Sequence, residues 1–165
     1  MADIYISLGS NIEREYHVKH GLEALAITFN IPFAQLSLSS LFESEAIGFS
    51  GNAFYNMVIG IKTHDSVEQV ASKLRNIEID YGRTHDAKKF SPRTLDLDLL
   101  LYDDLIIDTP AQLPREEIDK NAFVLWPLSE IAPTLIHPLL KLSYQTLWQN
   151  YNKTSQHLKI VKNCW

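Results

Sequence analysis

Apolar residues alternate over Asp3 to Leu8, around Ile4, Ile6 and Leu8, which predicts a first strand. Gly9-Ser10-Asn11 then reads as a tight turn ending in a helix-cap candidate. Val18, Leu22, Leu25, Ala26 and Phe29 recur at helical spacing, and Pro32 ends that helix. Residues 34–43 alternate again and predict a second strand; 45–53, with two glycines, predicts a loop. Phe54 to Lys62 predicts a third strand, paired antiparallel to the second across that loop. Asp65-Ser66-Val67-Glu68 has the form of a capping box. It precedes a helix face of Val67, Val70, Ala71, Leu74, Ile77 and Tyr81, stopped at Gly82. Residues 83–92 are polar, basic and loop-like, and Leu95 to Tyr102 predicts a fourth strand.

Beyond Leu105 the periodicity weakens. Ile106-Ile107 predicts a short edge strand and 108–121 a loop. Phe123 to Ile131 predicts a short helix broken by Pro127 and Pro133. Leu142 to Tyr151 predicts a helix and Leu158 to Val161 a last short strand. The order β-α-β-β-α-β is that of an α+β, ferredoxin-like core: an antiparallel sheet with helices on one face. The C-terminal extension could cover the other face, which suits the apolar character of the central strands. There is no internal repeat or linker, so residues 1–165 read as one domain.

Composition narrows the function class. The chain is 45% hydrophobic and 21% charged, an ordinary globular balance. Its net charge of −5 is the wrong sign for non-specific nucleic-acid binding, and the RNP aromatic motif is missing. The one cysteine, Cys164, cannot form an internal disulfide, which suits a reducing cytoplasm. The N-terminus lacks the basic and apolar regions of a signal peptide, and no apolar run is long enough for a membrane span.

Asp96 and Asp98 are two apart on a predicted strand, so they share a face, while Leu95, Leu97 and Leu99 share the other. Their repulsion asks for an offset: a divalent cation, Arg93, or exposure at a sheet edge. Arg83, His85, Lys88, Lys89 and Arg93 make the preceding segment basic, as phosphate binding requires; a solvated basic loop has the same composition. No G-x-x-x-x-G-K-[ST] or G-x-G-x-x-G motif is present, so the familiar phosphate loops are absent. Asn56 can read the edge of a heterocycle, and Phe54 or Phe123 can stack on one, although each also suits a plain core. Glu78 lies beside the apolar face of the second helix and reads as solvated. The histidines have no zinc-ligand spacing.

Together ISLGSN (6–11), FYNMV (54–58), IEIDYGR (77–83), SPRTLDLDLLLY (91–102) and FVLWPLSEIAP (123–133) resemble the 6-hydroxymethyl-7,8-dihydropterin pyrophosphokinase family, in order and approximate spacing. The resemblance implies an enzyme of folate biosynthesis, expected as a monomer in the cytoplasm that the cysteine usage suits. It would transfer the pyrophosphoryl group of ATP to the hydroxymethyl group of 6-hydroxymethyl-7,8-dihydropterin, releasing AMP. By the same resemblance Asp96 and Asp98 hold two Mg²⁺ ions, and Arg93 and Arg83 act on the phosphates. Ser44, Ala46, Ile47, Phe54, Asn56 and Phe123 would surround the pterin. Arg75, Glu78, Arg83, His85, Phe90, Arg93, Leu99 and Arg115 would lie on the ATP side.

The chain also departs from the family's pattern. His85 stands where a second Arg is common, Phe90 where Trp is frequent, and Ser91 where Gly is usual. Arg115 follows Pro114 where many members have His, and Asn121 replaces an Arg two residues before Phe123. Arg115 and Lys120 could restore charge. The alternative is a pterin-binding paralogue with lost activity or a different pterin.

Overall fold

The computed structural model describes residues 1–44, 53–82 and 94–165. Strand β1 (Ala2–Ser10) is followed by helix α1 (Arg14–Thr28), β2 (Ser37–Leu38), β3 (Leu41–Ser44) and β4 (Phe54–Thr63). Then come α2 (Val67–Asp80), β5 (Asp96–Tyr102), α3 (Ala122–Ile131), α4 (Tyr144–Asn150) and β6 (Leu158–Val161). Among the described residues the sheet runs β5-β1-β4-β3-β6, with β2 also on β4, and every pairing is antiparallel. The first four places are the ferredoxin-like order; β6 extends the edge.

Strand alternation divides the core in two. Ile4, Ile6 and Leu8 of β1, Met57 and Ile59 of β4, and Leu95, Leu97 and Leu99 point to the face covered by Leu22 and Leu25 of α1 and Leu74 and Ile77 of α2. Val58, Leu100 and Leu101 face the other way, onto Val124, Leu125 and Leu128 of α3 and Tyr144 of α4. The C-terminal extension thus covers part of the second face.

Several local expectations change. Gly9 and Ser10 belong to β1 rather than to a turn, and the residue capping α1 is Glu13, at φ 44°, not Asn11. The 34–43 strand is a short 3₁₀ turn (Phe33–Gln35) and two pieces, β2 and β3. The break falls where the Ser39 hydroxyl, not a backbone carbonyl, accepts the Val58 N–H at 2.9 Å. The capping box of α2 is one residue later than the pattern suggested. Ser66 caps the N–H of Gln69, whose side chain returns to Ser66 N. Ile107 makes only an isolated bridge to Leu113. Helix α3 continues through Pro127, because packing of Pro127 and its neighbours into the second core outweighs the lost backbone bond. Gly82 does stop α2, at φ 99°.

Candidate active site

The candidate site lies on the second face of the sheet, past the end of the α3 core. Gly9 of β1 pairs with Asp96 on one side and Asn56 on the other; Ser7 pairs with Asp98. Asn56 in turn pairs with Phe42, and Phe54 with Ser44. Directly opposed residues share a face, so Asp96, Asp98, Gly9, Asn56, Phe54 and Ser44 line one surface. Gly9 keeps its centre low. A Cβ there would lie 3.2 Å from Asn56 Oδ1 and 3.8 Å from the Phe54 ring. Asn56 is buried and donates from Nδ2 to Ser44 Oγ at 2.7 Å, which fixes the amide's orientation.

Asp96 and Asp98 are half-buried, and the intervening Leu97 is buried in the first core. The period-two expectation therefore holds through Leu99. It ends at a bulge, where the register shifts between Tyr5 and Ile6 and both Leu100 and Leu101 turn to the α3 side. The Leu100 carbonyl accepts the backbone N–H of Arg115 at 3.0 Å. That anchor carries the Arg115 side chain to Asp98, with Nη2 to Oδ1 at 3.4 Å. Glu117 holds its Nε at 2.8 Å. Burial lowers the affinity of the Arg115 guanidinium for its proton, but Asp98 and Glu117 more than offset this and raise its pKa above the ordinary value. Lys120 is exposed and pairs with Glu116 instead.

Glu78 is buried, contrary to the solvated reading. Its Oε2 accepts the Leu97 N–H at 2.9 Å, so a helix carboxylate braces the backbone between the two aspartates. The signal was present in the sequence: Glu78 falls four residues after Leu74, on the buried stripe. Arg75 is exposed on α2, nearly one turn before Glu78. Leu99 is buried in the first core, on the face opposite Asp98, so only its backbone is available to a ligand on the aspartates' face. Phe123, at the start of α3, is half-buried against the second core. Ala46, Ile47, Arg83, His85, Phe90 and Arg93 lie outside the described residues.

Two supporting contacts carried no sequence signal. Ser10 is buried, and its hydroxyl donates to the Thr94 carbonyl, just before β5. Arg14 reaches both sides of the 45–52 segment: Nη1 donates to Glu43 Oε2 at 2.9 Å and to the Ala53 carbonyl at 3.0 Å. Its guanidinium also lies 3.9 Å from the Tyr55 ring centroid. Hydrogen bonding from Lys159, and then from Arg14, holds the Glu43 carboxyl below the usual carboxylate range. Among the described residues no cluster of three or more His, Cys, Asp or Glu side chains could hold a metal ion. No helix among them is long and apolar enough to cross a membrane.

A solved Plasmodium falciparum HPPK-DHPS chain, crystallised with SDX-DHP, aligns over 92% of this chain with a TM-score of 0.66 at 12% identity. This chain covers 44% of that one, so the shared feature is one α+β domain of a longer protein. At the level of sequence, residues 5–133 match the family model described as 7,8-dihydro-6-hydroxymethylpterin-pyrophosphokinase (HPPK). A 2-amino-4-hydroxy-6-hydroxymethyldihydropteridine pyrophosphokinase of Aquifex aeolicus is 33% identical over 86% of this chain and 87% of its own length. Its counterpart in Pseudomonas aeruginosa is 33% identical over 82% and 83%. The chain belongs to the HPPK family, and with it to the ATP-dependent diphosphotransferases of folate biosynthesis.

Proposed function

We propose that the chain transfers pyrophosphate from ATP to the hydroxymethyl group of 6-hydroxymethyl-7,8-dihydropterin, on the sheet face between Asp98 and Phe54. The observation that carries this is the row Asp96–Gly9–Asn56, which sets a carboxylate and an oriented buried amide on either side of a residue with no side chain. Asn56 is suited to the hydrogen-bonding edge of a pterin, and Phe54 and Phe123 to its faces. Asp96 and Asp98 suit Mg²⁺, which often takes only one or two carboxylates beside substrate phosphates and water. Two such ions would neutralise the charge of the triphosphate.

In the reaction the pterin's hydroxyl oxygen forms a bond to the β-phosphorus. The bond from that phosphorus to the oxygen shared with the α-phosphorus breaks, AMP leaves, and the hydroxyl proton passes to solvent. Transfer of this kind needs positioning and charge stabilisation more than covalent protein chemistry. Arg115 would contribute by facing the developing negative charge beside Asp98; Arg83, Arg93, His85, Phe90 and Arg75 are proposed on the nucleotide side. We place the protein in the cytoplasm as a monomer. The decisive assay is AMP formation from ATP, Mg²⁺ and the hydroxymethyldihydropterin. Turnover that depends on all three supports the assignment, and AMP release that ignores the pterin overturns it.

One observation favours a second reading, a pterin-binding relative without transfer activity or with another pterin. Asn121 stands in place of a cation and is occupied by Glu117 and Gln156, at 3.4 Å and 3.3 Å. Calorimetric binding of the pterin, with no binding of a non-hydrolysable ATP analogue and Mg²⁺, would establish that reading.

A further inference from the structure

The family match ends at residue 133, yet a side chain from well beyond it reaches the site's support. Gln156 Oε1 accepts the Ala122 N–H at 2.8 Å, and its Nε2 donates to Asn121 Oδ1 at 3.3 Å. These bonds fill a gap in α3. A helix leaves its first N–H groups without intrahelical acceptors, and Asn121, at the cap position, makes no side-chain cap bond. Ala122 is 1% exposed, so its N–H would otherwise have little access to water.

The chain around Gln156 is itself braced. Tyr151 donates from its hydroxyl to the Lys120 carbonyl at 2.8 Å, and Ser155 N donates to Asn152 O at 3.1 Å. Lys153 Nζ donates to the Trp148 carbonyl at 2.7 Å. Gln156 is therefore presented to α3 from a folded turn, and Phe123 is the residue immediately after the amide it caps.

We propose that Gln156 is a positioning residue for the pterin: it sets the first turn of α3 and thereby the plane of the Phe123 ring. This rests on the reading of Phe123 as a stacking partner. Stacking depends on ring offset and angle, so a frayed first turn weakens pterin binding while the nucleotide side is spared.

The test uses the full chain with Gln156→Ala, Gln156→Glu and Phe123→Ala. Gln156→Ala raises the Kd for the pterin about fivefold to tenfold, the scale of a lost helix cap, and changes the KM for ATP less than about twofold. Gln156→Glu keeps an acceptor at a helix N-terminus and restores most of the affinity. A lower melting temperature for Gln156→Ala with unchanged pterin affinity overturns the inference and leaves a structural cap only. A parallel rise in ATP KM overturns it as well. Phe123→Ala separates the two levels: pterin affinity unchanged in that variant removes the stacking role itself. Weakened affinity there, with normal Gln156→Ala, overturns only the positioning role.

Discussion

The two faces of the sheet are built from the same strands but serve opposite ends. On one, α1 and α2 seal β1, β4 and β5 with leucine and isoleucine. On the other, α3 and α4 cover only the part around Val58, Leu100 and Leu101. Past that cover the inward positions become Asp96, Asp98, Gly9 and Asn56. The difference is that a strand can place a reactive group every second residue only if its other face supplies the burial. Leu97 anchors the backbone that displays Asp96 and Asp98. Among the described residues, polar groups can stand on one face past the helices because the other face is closed.

That contrast can be broken at several strengths. Asp98→Ala should lower kcat by at least about 10²-fold, the scale of losing one preorganised charge-stabilising group. A half-exposed pair should move stability by under ~1 kcal/mol. AMP assays with saturating ATP and Mg²⁺, read beside melting curves, check both; near-normal turnover sinks the assignment of the face. Leu22→Ala should do the reverse. A fully buried leucine on the closed face costs about 2–5 kcal/mol, or about 5–15 °C in Tm for a domain of this size. Activity per folded molecule should change little.

Glu78→Ala joins the two faces. It removes the acceptor for Leu97 N–H at a cost of about 1–3 kcal/mol, and should reduce kcat as well, because the braced peptide lies between the aspartates. Glu78→Gln retains an acceptor and should recover much of both. A stability loss without a kinetic one would limit Glu78 to the fold.

The last effect is on the covered end of the second face. His137 Nδ1 accepts the N–H groups of Leu139 and Leu140, both at 3.1 Å, and burial lowers its pKa from the ordinary 6.5. The unfolded chain therefore binds this proton more readily. Its stabilising contribution is full above pH 6.5 and is lost as pH falls from there through the depressed folded pKa. Denaturant melts of wild type and His137→Gln over that window should show a smaller pH slope in the variant.

How legible the molecule was depends on which kind of order is considered. Leu95, Leu97 and Leu99 announced the buried side of β5 by alternation alone, so the shared face of Asp96 and Asp98 followed. Asn56 was identified as a residue type suited to a heterocycle, but its orientation depends on Ser44, which comes from another strand. Glu78 was legible by helical spacing, although its charge suggested solvent. Period and propensity act over neighbours in sequence, so the ferredoxin-like order of elements was written locally, along with the main residues of the first core; those of the second, such as Val58, Leu101 and Tyr144, were not singled out.

Arg115 shows what remained. Nothing in its neighbourhood says that its N–H meets the carbonyl of Leu100 at a bulge, or that its guanidinium then lies 3.4 Å from Asp98. Ser10 with Thr94, Arg14 with Ala53 and Gln156 with Ala122 are of the same kind: pairs distant in sequence whose hydrogen bonds depend on distance and angle. The chain's own pattern determined the strands, the helices and the face on which its carboxylates stand. Tertiary packing decided that Arg115 reaches that face and how its supporting amides are held, because a directional bond between remote residues exists only once the sheet has brought them together.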